Sequence, residues 1–293
     1  MTRIEQFGWR DRVEPGLGRV VSAHGDYYHL VCNEQPTGEI LARKKKSAFL
    51  RMKTVAPVNM KGKKVSEERA EGPLQPMTGD FVRFRHNAQG ESLITGVLPR
   101  FSHFERKDPT ARRTSQTLAV NFDTLFVMMS LNENFSTARI RRYLDLAKDM
   151  GEAEAVVVVT KADLRQEGDE AFFEALREEV AGEARILEIS ALTGEGMADV
   201  LEYAKPGKTL AFIGSSGVGK STLLNVLVGE EWQATQEIQE WSGKGRHTTT
   251  SRELVMLPTG AMVIDTPGIR EIGMLGEEDL RQAKGESTHR YRK

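Results

Sequence analysis

Hydrophobic and polar positions follow one pattern in the first third of the chain and another in the rest. Up to residue 98, short β-rich segments, some of them alternating, are separated by Gly, Asn, Pro and Asp, which favour turns. Five short strands in about 85 residues are typical of a small all-β barrel, either an OB-fold or an SH3-like barrel. The predicted strands lie at 19–23, 27–32, 38–42, 81–85 and 93–98.

After residue 118, short apolar strands alternate with helices. Ile140, Leu144 and Ala147 recur on one face of a helix that follows a strand at 124–129. This alternation is typical of an α/β domain with a mostly parallel sheet covered by helices on both faces. Strands are also predicted at 155–159, 185–189, 210–213, 253–257 and 261–264, and helices at 136–150, 170–180, 197–204 and 219–228. The last two strands are close enough to form a hairpin.

These patterns divide the chain into a small barrel and a larger α/β domain with short flanking segments. The predicted parts are an N-terminal tail over 1–15, the barrel over 16–99, a polar linker over 100–118, the α/β domain over 119–275 and a short C-terminal tail over 276–293.

Charge is distributed unevenly between the two parts. The whole chain has a formal net charge of −1. Residues 1–118 hold 21 Lys and Arg against 13 Asp and Glu, whereas the remaining residues hold 20 against 29. A basic first part would suit docking on a polyanion such as nucleic acid, although two solvated surfaces could also differ in this way.

Other features of composition exclude several protein classes. With 39% hydrophobic and 28% charged residues, the chain has the composition of a globular protein. No apolar run approaches the ~18 residues of a membrane span, and the N-terminus lacks the apolar run of a signal peptide. The single cysteine, Cys32, allows neither an internal disulfide nor a multi-cysteine zinc site. We therefore expect a cytoplasmic protein that does not enter a membrane.

Aromatic residues of the predicted barrel could play one of two roles. OB-folds stack unpaired bases on exposed aromatic side chains, but most aromatic residues in small barrels belong to the core. The candidates are Tyr27, Tyr28, Phe49, Phe81 and Phe84.

A glycine-rich segment between a predicted strand and a predicted helix is the strongest chemical signal. It fits the pattern G-x-x-x-x-G-K-[ST], in which backbone N–H groups and a helix N-terminus surround phosphates. Lys220 can reach the β- and γ-phosphates as a catalytic residue, and Ser221 can bind Mg²⁺. The phosphate-binding residues are Gly214, Ser215, Ser216, Gly217, Val218, Gly219, Lys220, Ser221 and Thr222.

Two further motifs indicate that the nucleotide is GTP. Thr160, Lys161 and Asp163 match the [N/T]-K-x-D motif of GTPases, directly after an apolar strand. The carboxylate of Asp163 can accept two hydrogen bonds from the N1–H and N2–H₂ edge of guanine, whereas adenine lacks that pair of donors. Lys161 would lie along the base and brace the phosphate loop. The segment Ser190-Ala191-Leu192 resembles the S-A-[KL] motif, which contacts guanine through backbone N–H groups.

Two late motifs resemble the switch regions of GTPases. Asp265 and Gly268 fit D-x-x-G, in which the aspartate holds Mg²⁺ through water and the glycine N–H contacts the γ-phosphate. Of the consecutive threonines Thr248, Thr249 and Thr250, one would bind Mg²⁺ when the γ-phosphate is present. We favour Thr249, while polar threonines in a flexible loop remain the alternative.

The order of the motifs distinguishes this chain from Ras-like GTPases. In Ras-like enzymes the phosphate loop comes first and the guanine motifs come last. Here the guanine motifs at 160–163 and 190–192 precede the phosphate loop at 214–222, and D-x-x-G follows it. The domain is therefore predicted to be a circularly permuted P-loop GTPase, which is physically possible because domain termini often lie close together.

A permuted GTPase domain behind a basic barrel resembles the family of ribosome small subunit-dependent GTPase A, also called RsgA or YjeQ. The resemblance extends over residues 16–275. It implies an OB-fold that binds rRNA and a GTPase that acts in late maturation of the small (30S) ribosomal subunit and is stimulated by that subunit. The implied partners are the small subunit and its 16S rRNA, and we expect the protein itself to be a monomer. The segments that carry the likeness include SALTGEG at 190–196, GRHTTT at 245–250 and DTPGIRE at 265–271.

The chain departs from the family pattern at its C-terminal end. Family members usually carry a Cys/His zinc module after the GTPase domain, but residues 276–293 contain no cysteine. Zinc binding is therefore not predicted for this chain.

The residue that positions the attacking water is also unusual. Ras-like enzymes have a glutamine after D-x-x-G, whereas this chain has Ile269, in agreement with the RsgA family. His247, next to the threonines, is the candidate substitute that could orient or deprotonate water, although an exposed histidine is often inert.

Three functions remain possible from the sequence. The first is a GTP-hydrolysing assembly factor, and the second is an RNA-bound assembly factor that binds GTP but hydrolyses it poorly. The third is an unrelated P-loop ATPase or kinase. Preference for GTP over ATP would exclude the third, and stimulation by small subunits would separate the first two.

Overall fold

The structure is a computed structural model, and it describes residues 1–45, 75–107, 115–131, 135–229 and 253–265. The chain forms two compact units, Met1–Arg100 and Phe101–Lys293. Among the described residues, no helix is long and apolar enough to cross a membrane.

The first unit is a closed five-stranded barrel. Strands β1 and β2 and strands β2 and β3 pair in antiparallel fashion, β3 and β5 pair in parallel, and β4 pairs antiparallel with both β5 and β1. This order, β1-β2-β3-β5-β4 with closure onto β1, is that of an OB-fold and excludes the SH3-like alternative. The strands are β1 (Leu17–His24), β2 (Tyr27–Cys32), β3 (Ile40–Lys44), β4 (Phe81–Arg85) and β5 (Ser92–Val97).

Alternate residues of these strands fill the barrel with apolar side chains. Tyr28 and Phe84 belong to the core cluster of the barrel, and Phe81 is buried against Trp9, so none of the three offers a stacking surface. Tyr27, one residue earlier than Tyr28, faces solvent with 37% of its surface exposed. Phe49 lies outside the described residues. The inward and outward positions follow from the two-residue period of a strand.

The N-terminal segment is more ordered than the predicted tail. Residues Arg3–Gln6 form a short helix, α1, whose Ile4 is fully buried. The guanidinium of Arg3 donates to the carbonyls of Pro36 and Gly38. One apolar side chain and one arginine therefore fasten this segment to the barrel, a pattern too short to be recognised in the sequence.

A buried ion pair joins the last residue of the first unit to the residue before β4. The carboxylate of Asp80 is completely buried and accepts two hydrogen bonds from Arg100, at 2.8 and 2.9 Å. Burial raises the pKa of Asp80, and the guanidinium of Arg100 opposes that shift. Arg100, assigned to the linker from the sequence, is thus fixed to the barrel.

The second unit begins with a hairpin where the sequence indicated a polar linker. Strands β6 (His103–Lys107) and β7 (Ser115–Val120) pair antiparallel. Phe104 is buried on β6, and Leu118, Ala119 and Val120 are buried one after another at the end of β7. Polar and charged residues dominate the rest of this segment, so the sequence showed no strand pattern there.

Among the residues that the structure describes, six strands form the central sheet of the second unit. Its order is β10-β9-β8-β11-β13-β12, and all neighbouring pairs are parallel except β12 with β13. The predicted hairpin of the last two strands is therefore confirmed. The strands are β8 (Thr124–Ser130), β9 (Glu154–Thr160), β10 (Arg185–Ile189), β11 (Thr209–Ile213), β12 (Glu253–Met256) and β13 (Met262–Asp265).

Helices follow the strands, as the sequence predicted for an α/β domain. Helix α2 begins after Ser136, whose hydroxyl accepts a hydrogen bond from the N–H of Arg139. The core of this unit contains Phe126, Val158 and Leu223, together with further side chains of the sheet and of α5. The helices are α2 (Thr137–Ala147), α3 (Glu170–Val180), α4 (Met197–Leu201) and α5 (Lys220–Val228), with a short 3-10 helix at Ala162–Leu164.

Chain order and spatial order differ in the way that the motif order predicted. Strand β11, which leads into the phosphate loop, is central in the sheet, yet β8, β9 and β10 precede it in the chain. The strands after the loop, β12 and β13, lie on the other side of β11. The α/β unit therefore has the topology of a circularly permuted P-loop GTPase domain, preceded by an OB-fold.

Candidate nucleotide-binding site

Four of the sequence motifs leave the same edge of the sheet. Strands β9, β10, β11 and β13 are parallel, so their carboxyl ends lie together. The register pairs Ile189 with Thr160 on β10 and β9, and Ala211 with Ile264 on β11 and β13. Ligands of open α/β sheets bind outside these carboxyl ends. The sheet therefore brings together residues that are up to 105 positions apart, as with Thr160 and Asp265.

Glycine is required in the phosphate loop for two different reasons. A Cβ atom on Gly214 would lie 2.6 Å from the carbonyl oxygen of Met128, so the loop can pass β8 only without a side chain. Gly217 and Gly219 have φ angles of +77° and +94°, in the left-handed region that other residues rarely adopt. Gly219 is also the N-cap of α5. The loop thus turns its backbone directly into the first turn of that helix.

Lys220 lies folded over this loop. Its ammonium group donates hydrogen bonds to the carbonyls of Gly214 at 2.6 Å and Ser215 at 2.7 Å. Ser221 and Thr222 follow in the first turn of α5 and are exposed. A positive ammonium and the N-terminus of a nine-residue helix therefore occupy the same place, which suits a phosphate group.

Thr160 connects the guanine motif to the phosphate loop. Its buried hydroxyl donates a hydrogen bond of 2.6 Å to the carbonyl of Val218. From the sequence, Lys161 is expected to brace the phosphate loop; in the structure, Thr160 donates a hydrogen bond to that loop. Threonine is suited to this position because it fits inside the sheet edge and still carries a donor.

Asp163 and Ser190 meet although 27 residues separate them. The hydroxyl of Ser190 donates to Asp163 Oδ1 at 2.5 Å and accepts a hydrogen bond from the N–H of Thr193 at 3.2 Å. Ser190 is fully buried, whereas Asp163 is exposed. The buried serine therefore fixes one oxygen of the carboxylate by a hydrogen bond, while the side chain of Asp163 remains exposed to solvent.

The backbone around Asp163 and Ser190 is sharply turned. Lys161 has a φ angle of +62° and immediately precedes the short 3-10 helix that contains Asp163. A Cβ on Gly196 would lie 2.1 Å from the carbonyl oxygen of Glu188, so only glycine fits after the Ser190 turn. Within this turn Ala191 is half-buried and Leu192 is 83% exposed.

One participant near this site was missed by sequence reasoning. The guanidinium of Arg165, two residues after Asp163, donates to Glu188 at 2.9 Å and also to Glu170. It lies 4.6 Å from the ring centroid of Phe173. Glu188 is 23 positions away in the chain, so no local pattern indicates the pair.

Several predicted site residues lie outside the described residues. These are His247, Thr248, Thr249, Thr250 and Gly268. Asp265 is the last residue of β13, beside β11 and at the same edge of the sheet as the phosphate loop. The role of Asp265 in the D-x-x-G motif stays a prediction.

Comparison with known families gives a match over most of the second unit. The family model described as RsgA GTPase matches residues 97–275. A protein of Leptospira interrogans named small ribosomal subunit biogenesis GTPase RsgA is 44% identical over 203 residues, which cover 69% of this chain and 55% of that protein. A protein of Lactiplantibacillus plantarum named small ribosomal subunit biogenesis GTPase RsgA 2 is 39% identical over 256 residues, with coverages of 87% and 66%.

Two solved structures have the same architecture. The crystal structure of YjeQ from Thermotoga maritima is 27% identical, with a TM-score of 0.61 over 87% of this chain and 75% of that chain. The structure of YloQ, a circularly permuted GTPase, is 21% identical, with a TM-score of 0.53 over 88% of this chain and 74% of that chain.

The chain corresponds to only part of the length of these two relatives. The chain spans 55% of the length of the Leptospira relative and 66% of the length of the Lactiplantibacillus relative. Within that span, the family model, the sequence identity, the order of the motifs and the fold agree. This chain belongs to the RsgA GTPase family.

Proposed function

We propose that this protein binds and hydrolyses GTP and acts as an assembly factor of the small ribosomal subunit. The single observation that carries the proposal is the hydrogen bond from Thr160 to Val218, which joins a [N/T]-K-x-D motif to a phosphate loop. The same nucleotide could therefore contact both motifs at once. Membership of the RsgA family supports the same function.

Recognition of guanine would depend on Asp163. Its exposed carboxylate, held by Ser190, can accept hydrogen bonds from the N1–H and N2–H₂ groups of guanine. The backbone N–H groups of Ala191 and Leu192 are the donors we propose for the opposite side of the base, and Lys161 would lie along its face. Adenine presents no such pair of donors, which favours GTP over ATP.

Phosphate binding would use the loop from Gly214 to Thr222 and the N-terminus of α5. In the structure the ammonium of Lys220 donates to two loop carbonyls. Bound β- and γ-phosphates carry full negative charge, so we expect them to replace these neutral carbonyls as partners of Lys220. The same charge would then be available to stabilise the transition state of phosphoryl transfer.

The residues at the sheet edge also fit a magnesium ion. Ser221 is exposed in the first turn of α5, and the backbone of Asp265 ends the strand next to β11, at the same edge of the sheet as the phosphate loop. Two residues at this edge therefore carry a hydroxyl and a carboxylate group. These are oxygen ligands of the kind that Mg²⁺ prefers. We propose Ser221, Asp265 and one threonine of 248–250, with Thr249 favoured, as the residues that hold it. Such an ion would neutralise charge on the phosphate oxygens.

His247 is the residue we propose to orient the attacking water. The position after D-x-x-G holds Ile269, which cannot donate or accept a hydrogen bond. Histidine next to the switch threonines can do both. Since Ile269 cannot position the water, turnover is expected to be slow without subunits, and the small subunit would act as the activator.

The barrel offers a surface for RNA. One row of outward-facing residues crosses all five strands, because the register pairs His24 with Tyr27, Tyr27 with Arg43, Arg43 with Leu93, and Leu93 with Arg85. The guanidinium of Arg43 lies 4.4 Å from the centroid of the exposed Tyr27 ring. Aromatic and arginine planes of this kind stack on unpaired bases. We propose that this row contacts 16S rRNA in the cytoplasm and that the protein acts as a monomer.

The test is GTP hydrolysis by the full chain with and without purified small ribosomal subunits. We expect slow turnover alone, a large increase with subunits, and a strong preference for GTP over ATP. As a control, Lys220→Ala should abolish turnover, whereas Lys208→Ala should preserve it, since Lys208 pairs with Asp123 at the other end of β11.

Two results would contradict parts of the proposal. GTP binding without stimulated hydrolysis would favour an RNA-bound factor that hydrolyses GTP poorly, which the absence of a glutamine after D-x-x-G makes a specific alternative. Equal use of GTP and ATP would instead indicate an ATPase or kinase.

A further inference from the structure

We propose that Arg165 is a positioning residue for guanine recognition, which fixes the loop bearing Asp163 to strand β10. This inference rests on the proposed binding of GTP. Arg165 directly follows the 3-10 helix Ala162–Leu164, and its guanidinium donates to Glu188 on β10 at 2.9 Å. It also donates to Glu170 in the first turn of α3.

The contact with Glu188 forms a second connection between the loop bearing Asp163 and the segment of β10 and its following turn, which Ser190 already joins to that loop. The first connection runs from Ser190 to Asp163, and the second from Arg165 to Glu188. The paired residues are two apart on each side, so the two connections lie next to each other. Two connections fix the direction of the loop, whereas one would leave it able to pivot about the Asp163–Ser190 hydrogen bond.

The strand side of this connection is itself held in place. Glu188 belongs to β10, which pairs with β9 through Val159, and only 29% of its side chain is exposed. The carbonyl of the same residue is so close to Gly196 that a Cβ there would lie 2.1 Å away. Glu188 is therefore a fixed point from which Arg165 can position the more exposed loop.

The contacts of Arg165 require the shape of arginine. The planar group reaches two carboxylates at once and lies 4.6 Å from the ring centroid of Phe173, which is only 2% exposed. Lysine keeps the charge but has neither the fork nor the plane. An isolated surface ion pair contributes little, but stacking on a core ring and a partly buried partner reduce the entropy that the contact costs.

The predicted consequence concerns the base and not the phosphates. Asp163 must present its carboxylate in one direction to accept two hydrogen bonds from guanine, so a pivoting loop would lose selectivity. The phosphate loop is held separately, by Thr160 and by β11. Loss of Arg165 should therefore weaken discrimination at the 2-amino group of the base more than it weakens binding as a whole.

The experiment compares the affinities of the full chain for GDP and for inosine diphosphate, which lacks the 2-amino group. Arg165→Ala should lower GDP affinity by about fivefold, since exposed and half-buried charge networks contribute about 1 kcal/mol. It should lower affinity for inosine diphosphate less, so that the ratio between the two narrows. Arg165→Lys should keep a ratio of GDP affinity to inosine diphosphate affinity between those of wild type and Arg165→Ala. The double variant Arg165→Glu with Glu188→Arg should have a ratio nearer to wild type than Arg165→Glu or Glu188→Arg alone.

Arg185→Ala is the matched control. Arg185 lies at the other end of β10, is half exposed, and pairs with two carboxylates, those of Asp199 and Glu202. It should leave both affinities unchanged. Thermal unfolding of each variant checks that the fold is kept.

The outcomes separate this inference from the proposed function. If the wild-type chain shows no preference for GDP over ADP, the proposed function and this inference both fail. If that preference is present and Arg165→Ala retains the wild-type ratio of GDP to inosine diphosphate, then the positioning role is wrong and the proposed function stands.

Discussion

At the scale of single residues, the site depends on side chains that link separate motifs. Thr160 joins the guanine motif to the phosphate loop, and Ser190 joins Asp163 to the turn after β10. Both donors are buried, and each satisfies an acceptor that lies on another segment of the chain. A buried acceptor that loses its donor has a cost beyond that of the missing bond, because it is also removed from water.

The first prediction concerns Thr160. Thr160→Val keeps the shape of the side chain but leaves the carbonyl of Val218 without this donor, which costs about 1–2 kcal/mol. Since the loop position is coupled to phosphate binding, we expect the affinity for GTP and GDP to fall by about tenfold. Equilibrium titration with a fluorescent nucleotide measures this change.

A second buried threonine provides the control for that prediction. Thr124 lies at the amino end of β8, away from the phosphate loop, and its hydroxyl donates to Glu154 at 3.5 Å. Thr124→Val should leave nucleotide affinity within twofold of wild type. Equal losses in the two variants would show that the effect reflects general destabilisation.

The second prediction concerns His247. If this residue orients the attacking water, His247→Ala should lower subunit-stimulated turnover by at least about 100-fold, the contribution typical of general acid–base catalysis. Affinity for GTP should change little, because the base and phosphate contacts are elsewhere. Turnover with saturating subunits and nucleotide titration measure the two quantities, and wild-type turnover in the variant would exclude the role.

At the scale of elements, a buried ion pair stabilises the barrel. Asp80, the residue immediately before β4, is fully buried, and Arg100 donates hydrogen bonds to both of its carboxylate oxygens. The backbone N–H of Met77 also donates to Asp80 at 2.9 Å. The contrast within the same unit is the pair of Arg83 and Glu14, which is exposed on both sides.

The third prediction compares these two pairs. Arg100→Ala leaves a carboxylate buried without its main partner, so we expect the free energy of unfolding of the barrel to fall by about 3–5 kcal/mol. Arg83→Ala removes an exposed pair and should cost less than about 1 kcal/mol. Amide hydrogen exchange in the barrel strands measures both values in the full chain. Similar losses for both variants would contradict this account of the Asp80 site.

At the scale of the whole molecule, the part proposed to bind RNA is basic and the part proposed to bind GTP is acidic. The first 118 residues have an excess of eight positive charges, and the rest an excess of nine negative ones. A nucleotide-binding domain needs a local positive site only at its phosphate loop. An RNA-binding barrel needs positive charge over a broad face, because each phosphate contact releases a counterion.

The fourth prediction follows from that charge separation. Stimulation of GTP hydrolysis by small subunits should fall steeply between about 50 and 200 mM salt, whereas hydrolysis without subunits should change little. Replacing Arg43 and Arg85 together with alanine should reduce the salt dependence of stimulation. Stimulation that is insensitive to salt would argue against docking through the basic barrel.

Much of the fold followed from local patterns. The strands of the barrel and the α/β alternation are visible because apolar residues repeat with periods that match strands and helices. Two elements were not predicted from these periods. The helix α1 is only four residues long, and the polar and charged residues of β6 and β7 obscure four buried apolar residues, which are Phe104, Leu118, Ala119 and Val120.

The sequence by itself determined the chemistry of the site. The glycines of the phosphate loop, Lys220, and the T-K-A-D and S-A-L strings are recognisable because each nucleotide group requires certain residue types at a fixed local spacing. Motif order alone was enough to predict the circular permutation.

Only the tertiary structure decided which residues work together. Thr160 lies 58 positions from Val218, Asp163 lies 27 from Ser190, and Arg165 lies 23 from Glu188. No local period relates such partners, since parallel strands bring their carboxyl ends together whatever the separation along the chain. The hydrogen bond from Thr160 to Val218 and the place of Arg165 beside Glu188 therefore depend on the sheet.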